Sequence, residues 1–301
     1  MTETQKVTRT VNRRSVLIAA GLIFVGSAGI QTSSALSSTL FASYGSAGVS
    51  AMRMLVASII LLILFRPSLK GRTRSEWVGI VIYGIAMALM NLSLYAAIDR
   101  IPLGIAVTLE FLGPCAVALL ASRRIREGLC AVLSLAGVAL LSIGPWGYFD
   151  LLGYLAGLGA AAAFGTYTVF AARVGKAGSG LDGLSLSVAA AALVTLPIAI
   201  PQVGSLDLPD TGVLAASALV GVVIPYSVDT IAARVTSARV VGTLFAIDPA
   251  MGALAGLVFL GQTITVPAIA GIVIVAAAGA LLVWVTGSKT GTAPTPPSAA
   301  P

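Results

Sequence analysis

The chain has no histidine and only two cysteines, Cys115 and Cys130. Without imidazole it lacks the commonest metal ligand and the usual physiological proton switch. The cysteines show no zinc-ligand spacing. Cys115 is expected well inside one span and Cys130 near the cytoplasmic start of the next, depths that argue against a disulfide. Charge is scarce too: 10% of residues are Asp, Glu, Lys or Arg, against about 25% in soluble domains. Aromatics reach only 6%. No basic helix interleaved with aromatics occurs, so the net charge of +7 carries no nucleic-acid reading. No P-loop is present, nor any nucleophile–base spacing. These absences exclude an ATP-driven pump, argue against an enzyme, and leave no expectation of a cofactor or metal. Uphill work would draw on a gradient, and proton chemistry would run through carboxylates.

What is present is apolar. Hydrophobic residues make up 57% of the chain and the mean hydropathy is +1.01. Thirty-three glycines suit close helix packing in lipid, where small residues let backbones approach. A span needs about 20 apolar residues. Ten stretches qualify: 15–36, 46–65, 77–98, 103–122, 128–143, 151–172, 184–200, 211–231, 240–260 and 267–285, the fifth and seventh being short. Residues 1–14 form a basic cytoplasmic segment. The run at 15–36 is too long for a signal-peptide core, so it is read as an uncleaved first span. The tail 286–301 is rich in Ser, Thr, Pro and Gly and is expected to be disordered. Trp77, Trp146 and Trp284 read as interfacial anchors.

Charge placement tests this division. With faces assigned by alternate loops, all eighteen Lys and Arg but Arg53 and Arg100 fall on one face. The positive-inside rule then puts both termini in the cytoplasm. The halves 15–143 and 151–285 echo each other: Thr108-Leu109-Glu110-Phe111-Leu112-Gly113-Pro114 in span four resembles Thr243-Leu244-Phe245-Ala246-Ile247-Asp248-Pro249 in span nine. Five spans per half is odd, so the second half enters the membrane inverted. The expected fold is an all-α membrane protein, with ten transmembrane helices in two five-helix inverted repeats and a solute site near the midplane.

Four polar groups share one expected depth. Arg53 lies seven residues past Ser46 and Glu110 seven past Leu103, both about 10 Å below the outer boundary at 1.5 Å per residue. Asn91 lies seven before Ile98, and Gln31 is slightly shallower. Buried ionised groups are expensive in lipid and mark solute paths or ion pairs. Two readings of Arg53 and Glu110 stand here. In one, Arg53 holds a substrate carboxylate while Glu110 holds an ammonium or exchanges a proton. In the other, the two form an ion pair that locks helices together. Asp248 is the second candidate for proton coupling; otherwise it is a neutral acid making one interhelical hydrogen bond. Asp229 is read as snorkelling or pairing with Arg234. Pro114 and Pro249 each remove the hydrogen bond to the carbonyl four residues before, either exposing backbone to a solute or merely kinking the helix. Tyr95 and Thr166-Tyr167-Thr168 are candidate path-lining residues.

These residues carry a resemblance. The segment Ile101 to Pro114, with Ser122-Arg123-Arg124, Gly48-Val49-Ser50-Ala51-Met52-Arg53, Ile224-Pro225-Tyr226-Ser227 and Gly242 to Ala250, resembles the drug/metabolite transporter superfamily of ten-span, EamA-type carriers. The likeness runs along nearly all of 15–285. It implies a secondary transporter of the bacterial inner membrane that exports small neutral amino acids against proton flow. Asp248 and Gln262 depart from the superfamily pattern, which the resemblance would fill with Glu at both places. The alternatives are a carrier of the same superfamily for another metabolite or a lipophilic cation, and a membrane scaffold that transports nothing. The expected partners are a small amino-acid substrate, protons and the lipid bilayer.

Overall fold

The computed structural model describes residues 13–120, 125–141, 143, 149–176, 181–235 and 244–287. Among them all regular structure is helical. The helices are α1 (Arg13–Ser38), α2 (Phe41–Phe65), α3 (Arg74–Ile98), α4 (Leu103–Leu120), α5 (Ile125–Leu141), α6 (Leu151–Lys176), α7 (Leu181–Val203), α8 (Leu208–Ala218), α9 (Ile224–Val235), α10 (Asp248–Leu260) and α11 (Val266–Gly287). A π-turn, Leu219–Val223, joins α8 to α9, so Leu208–Ala232 forms one rod. A 3-10 turn, Phe245–Ile247, leads into α10.

Six rods are long and apolar enough to cross a membrane: Leu17–Ser38, Phe41–Phe65, Arg74–Ile98, Leu151–Ala171, Leu181–Val203 and Leu208–Ala232. Four shorter apolar helices accompany them, Leu103–Val117, Val132–Leu141, Phe245–Leu260 and Val266–Leu281. The protein is therefore a helical, multi-pass membrane protein. Its outer surface carries large apolar side chains such as Phe24, Ile63, Leu135, Leu193 and Phe259, which suit contact with lipid tails. Arg123, Arg124, Arg239, Trp146, Thr243 and the tail from 288, together with the side chains of Arg126, Cys130, Arg234 and Trp284, lie outside the described residues.

Local chemistry sets several boundaries. Thr73 and Glu76 form a reciprocal capping box at the start of α3: Glu76 N–H donates to Thr73 Oγ1 at 3.3 Å and Thr73 N–H to Glu76 Oε2 at 2.7 Å. This satisfies two otherwise orphaned amides. Asp207 caps α8 by accepting from the Asp210 N–H at 2.8 Å. Gly261 ends α10 at φ 62°, a left-handed conformation that glycine adopts without a Cβ clash. The prolines behave differently from each other. Pro114 sits inside α4, which continues through it. Pro249 stands in the first turn of α10, just past the 3-10 turn. Of the two outcomes left open, α4 stays unbroken at Pro114, while a new α-helix starts at Pro249, where proline's missing N–H suits a helix start.

Packing crosses between the halves of the chain. α2 lies on α7, α5 on α11 and α4 on α10. The first helices are exchanged: α3 and α4 pack on α6, while α1 packs on α9 and α10. Glycines permit the closest of these approaches. A Cβ on Gly113 of α4 would stand 1.9 Å from the Ala161 carbonyl oxygen of α6. Arg100, the single cation expected on the outer face, lies 3.5 Å from Asp150, just before α6.

Candidate functional site

The site forms around Arg53, whose side chain is one of the largest fully buried ones (2% exposed). Arg53 comes from the middle of α2. Its Nη2 donates to Asn91 Oδ1 on α3, and its Nη1 to Ser33 Oγ on α1 at 3.2 Å. The guanidinium also stacks over the Tyr95 ring, 4.5 Å from the centroid, where the electron-rich face attracts a cation. Asn91 is fixed in turn: its Nδ2 donates to the Met87 carbonyl at 3.0 Å and to Tyr226 Oη at 3.2 Å. Ser33 donates to the Ser217 carbonyl at 2.8 Å, and Ser37 and Ser217 exchange a hydrogen bond at 2.5 Å. One buried network therefore joins α1, α2, α3, α8 and α9.

The π-turn makes room for this network. A Cβ on Gly221 would stand 2.0 Å from Ser33 Oγ and 3.1 Å from Arg53 Nη1. Only a residue without a side chain fits against that pair. π-Turns inside helices concentrate at functional sites.

Two carboxylates are buried among the described residues, Glu110 and Asp248. Glu110 of α4 (8% exposed) is near enough to feel the charges of both Arg53 and Asp248. Yet no carboxylate stands within 4 Å of Arg53 among the described residues. The ion-pair reading of Arg53 and Glu110 is therefore not met by a closed salt bridge; neutral acceptors and an aromatic face hold Arg53 instead. Asp248, at the start of α10, accepts a hydrogen bond from Ser27 of α1, an interhelical bond that is compatible with either reading of this acid. Asp229 of α9 does not stand apart. Its Oδ1 faces Gly26 of α1, 3.3 Å from where a Cβ would be, and it feels the charge of Asp248.

Gln31 is buried two residues before Ser33, with its Oε1 lacking a hydrogen-bond partner among the described residues. Ser34 Oγ, Ser50 Oγ, Arg53 Nε and Tyr95 Oη share that condition. Each such group costs about 1–3 kcal/mol if it stays unpaired. Buried polar atoms left this way call for a specific explanation, such as water or a ligand.

Below Asn91 an aromatic ladder continues. Tyr226 lies 5.9 Å from Tyr167, Tyr167 lies 4.9 Å from Tyr83 and 5.5 Å from Phe164, and Phe164 lies 6.2 Å from Phe245. Tyr83, Met87, Asn91 and Tyr95 follow each other every four residues, so one face of α3 carries the whole series. Tyr167, a candidate path-lining residue, thus belongs to this aromatic ladder. Thr166 and Thr168 instead return their hydroxyls to their own helix, at the Ala162 and Phe164 carbonyls.

Sequence reasoning singled out Arg53, Asn91, Gln31, Glu110 and Asp248, but it missed Ser27, Ser33, Ser217, Gly221 and the part of Tyr226. The signal for the first two was present: Ser27, Ser33, Ser34, Ser37 and Ser38 interrupt an otherwise apolar helix.

A helical multi-pass bundle with a buried, hydrogen-bonded cation and nearby carboxylates has the features of a membrane transporter. The chain belongs to the EamA-like transporter family of the drug/metabolite transporter superfamily. That family's model matches residues 151–284. The chain is similar along most of its length to the threonine/homoserine exporter RhtA of Escherichia coli (strain K12), 34% identical over 250 residues that cover 81% of this chain and 84% of that protein. It is 33% identical over the same extent to RhtA of Salmonella typhimurium (strain LT2). A crystal structure of a protein 16% identical shares the fold, with a TM-score of 0.56, covering 90% of this chain and 98% of that one. The superfamily resemblance read from the sequence thus holds, and the chain is a transporter rather than an enzyme or an inert scaffold.

Proposed function

We propose that this protein is a secondary active exporter of small neutral amino acids of the threonine and homoserine kind, residing in the bacterial inner membrane with both termini cytoplasmic. The observation that carries this reading is the buried Arg53 guanidinium, held by Asn91, Ser33 and Tyr95 with no carboxylate within 4 Å among the described residues. A preformed cation without a counter-ion is suited to receive a substrate carboxylate. Glu110, which feels the charge of Arg53, takes the ammonium in this reading. The similarity to RhtA along most of the chain supports the substrate class.

Alternating access between two inverted five-helix repeats is the mechanism we infer. The exchanged packing, α3 and α4 on α6 against α1 on α9 and α10, supports it. So do the self-paired contacts of α2 with α7, α4 with α10 and α5 with α11. Rocking such halves about a midplane site is a recurrent carrier scheme. Proton antiport through Glu110 and Asp248 supplies the energy. One charge crossing 100 mV gives about 2.3 kcal/mol. At about 1.4 kcal/mol per tenfold, one proton supports a roughly 40-fold gradient of a zwitterion.

The aromatic ladder of Tyr83, Tyr167 and Tyr226, which feels the charge of Asp229, favours a second reading. Aromatic faces with a carboxylate attract cations, so a lipophilic cation is the alternative cargo. Arg53 opposes it.

Counterflow of labelled threonine in proteoliposomes separates the two. Unlabelled threonine, homoserine and serine are expected to compete and a cationic dye is not, and Arg53→Ala is expected to abolish uptake. Competition by the dye alone would overturn the amino-acid reading.

A further inference from the structure

A cavity of about 260 Å³ lies between the start of α3, the end of α6 and the start of α7. Arg72, Ser75, Val78, Phe170, Arg173 and Val174 are among the residues lining it, and none of the Arg53 network takes part. The stretch 66–74 leading into α3 carries Arg66, Lys70, Arg72 and Arg74 and no carboxylate. Arg72 Nε donates to the Ser68 carbonyl at 2.9 Å, and its Nη2 stands 4.0 Å from Asp182, the outer edge of ion-pair contact. The exposed Arg173 guanidinium lies 4.9 Å from the centroid of the Phe170 ring. Glu76, the carboxylate in the lining, is already held by the Thr73 N–H and hydroxyl at 2.7 and 3.1 Å. Two apolar stripes lead away from the cavity. Val78, Val81, Ile85 and Leu89 of α3 are exposed and follow each other by three and four residues, so they share one face. Leu158, Ala162, Val169 and Arg173 do the same on α6, at intervals of four and seven. α3 and α6 pack on each other. Val78 and Arg173 line the cavity and also end these stripes, so the cavity opens where the two outward-facing surfaces converge.

We propose that this cavity binds one anionic phospholipid of the phosphatidylglycerol type, with its phosphate between Arg72 and Arg173 and its acyl chains along the stripes of α3 and α6. Guanidinium forks match phosphate oxygens in bidentate pairs. Basic pockets between membrane helices are where anionic headgroups bind. Arg66, Lys70, Arg72, Arg74 and Arg173 outnumber Glu76 and Asp182 at this end, which favours a headgroup of net negative charge over a zwitterionic one. The cavity is smaller than the usual pocket for a whole ligand, about 300–1,000 Å³, and suits a headgroup whose tails stay outside. A soluble anion would use the arginines but leave the stripes idle. In the orientation proposed above, the lipid belongs to the cytoplasmic leaflet. The site itself does not depend on which solute the protein carries.

The test uses the purified full-length protein in a neutral detergent, where no bilayer surface potential contributes. Melting temperature and the lipid adducts retained in native mass spectrometry are followed against added phosphatidylglycerol, phosphatidylethanolamine and glycerol 3-phosphate, the last a headgroup without tails. Phosphatidylglycerol should raise the melting temperature saturably and leave a single adduct, and the other two should do neither at the same concentration. One charge-assisted contact is worth about tenfold in affinity, so Arg72→Gln and Arg173→Gln should each raise the half-saturating phosphatidylglycerol about tenfold. Lys70→Gln removes an exposed cation of the same loop that does not line the cavity and should leave it within about twofold. Should Arg72→Gln not fold, Arg173→Gln decides alone, because its side chain is exposed. Equal binding of the two phospholipids, equal weakening in all three variants, or unchanged half-saturation in Arg173→Gln would overturn the site. Glycerol 3-phosphate acting as phosphatidylglycerol does would make it a site for a soluble phosphate and overturn the lipid.

Discussion

The Arg53 guanidinium lies 4.5 Å from the centroid of the Tyr95 ring while its two terminal nitrogens reach different helices, α3 through Asn91 and α1 through Ser33. A planar fork makes that bridge; a lysine ammonium is a point charge on a flexible stem and cannot span it. Arg53→Lys is therefore expected to lower saturable threonine counterflow about tenfold or more, although the positive charge is kept. Helical content by circular dichroism should stay at the wild-type level. Full counterflow in the lysine variant would show that charge alone suffices and that the bridge is incidental.

Gly221 and Ser33 form a size-matched pair. With a Cβ at Gly221 predicted to stand 2.4 Å from the Ser33 Cβ as well as 2.0 Å from its Oγ, Gly221→Ala forces α1 away from the π-turn. Overpacking of this kind typically costs about 1–3 kcal/mol. The melting temperature and transport should both fall. Adding Ser33→Gly removes both clashing atoms, so the double variant should melt higher than Gly221→Ala alone, a non-additivity expected of residues in contact. Simple additivity of the two changes would contradict the packing described here.

Much of this arrangement was legible in the sequence, and the limits have physical causes. Hydropathy marked the six long and four shorter apolar helices seen among the described residues, and depth arithmetic put Arg53 and Asn91 in one layer, where they now share a hydrogen bond. The partner of Arg53 was not legible. Two opposite charges at equal depth suggest an ion pair, but the rotational position of each helix decides which side chains meet, and apolar helices give little periodic signal for that rotation. Arg53 accordingly meets Ser33, Asn91 and Tyr95 rather than Glu110. The unequal effect of Pro114 and Pro249 was hidden for a similar reason. Both follow an acidic residue in similar strings, yet only Pro249 stands at a helix start. The role of Gly221 could not be seen at all, because it depends on a close approach between segments far apart in the chain.

Asp248 offers a direct test of proton coupling. Ser27 donates to its Oδ1, and an asparagine keeps an acceptor oxygen there while losing the ability to take up or release a proton. Asp248→Asn is expected to retain threonine counterflow within about threefold, since exchange needs no net proton movement. Accumulation driven by a pH gradient should disappear. Glu110→Gln is expected to lose accumulation as well, but with weakened counterflow, because that carboxylate also meets the substrate ammonium in this reading. The measurement is labelled threonine uptake in proteoliposomes with and without an imposed gradient; a variant that still accumulates threonine as the wild type does carries no coupling proton at that site.

Gln262, which stands where the superfamily pattern leads one to expect glutamate, has a structural task. Its Oε1 accepts from the Leu103 N–H at 3.0 Å, the amide at the first residue of α4, which has no partner within its own helix. Removing an equivalent helix cap typically costs about 1 kcal/mol, so Gln262→Ala should lower the melting temperature by about 1–2 °C on the per-residue scaling for a chain of this size. Gln262→Glu keeps an acceptor oxygen and adds a negative charge at the positive end of the α4 dipole, which is favourable. That variant should melt at or above the wild-type temperature and transport normally. Thermal unfolding of the two variants in the same detergent decides the matter. If the alanine variant melts with the wild type, the contact is idle; if the glutamate variant melts lower, burial of the charge beside Gly256 outweighs the dipole.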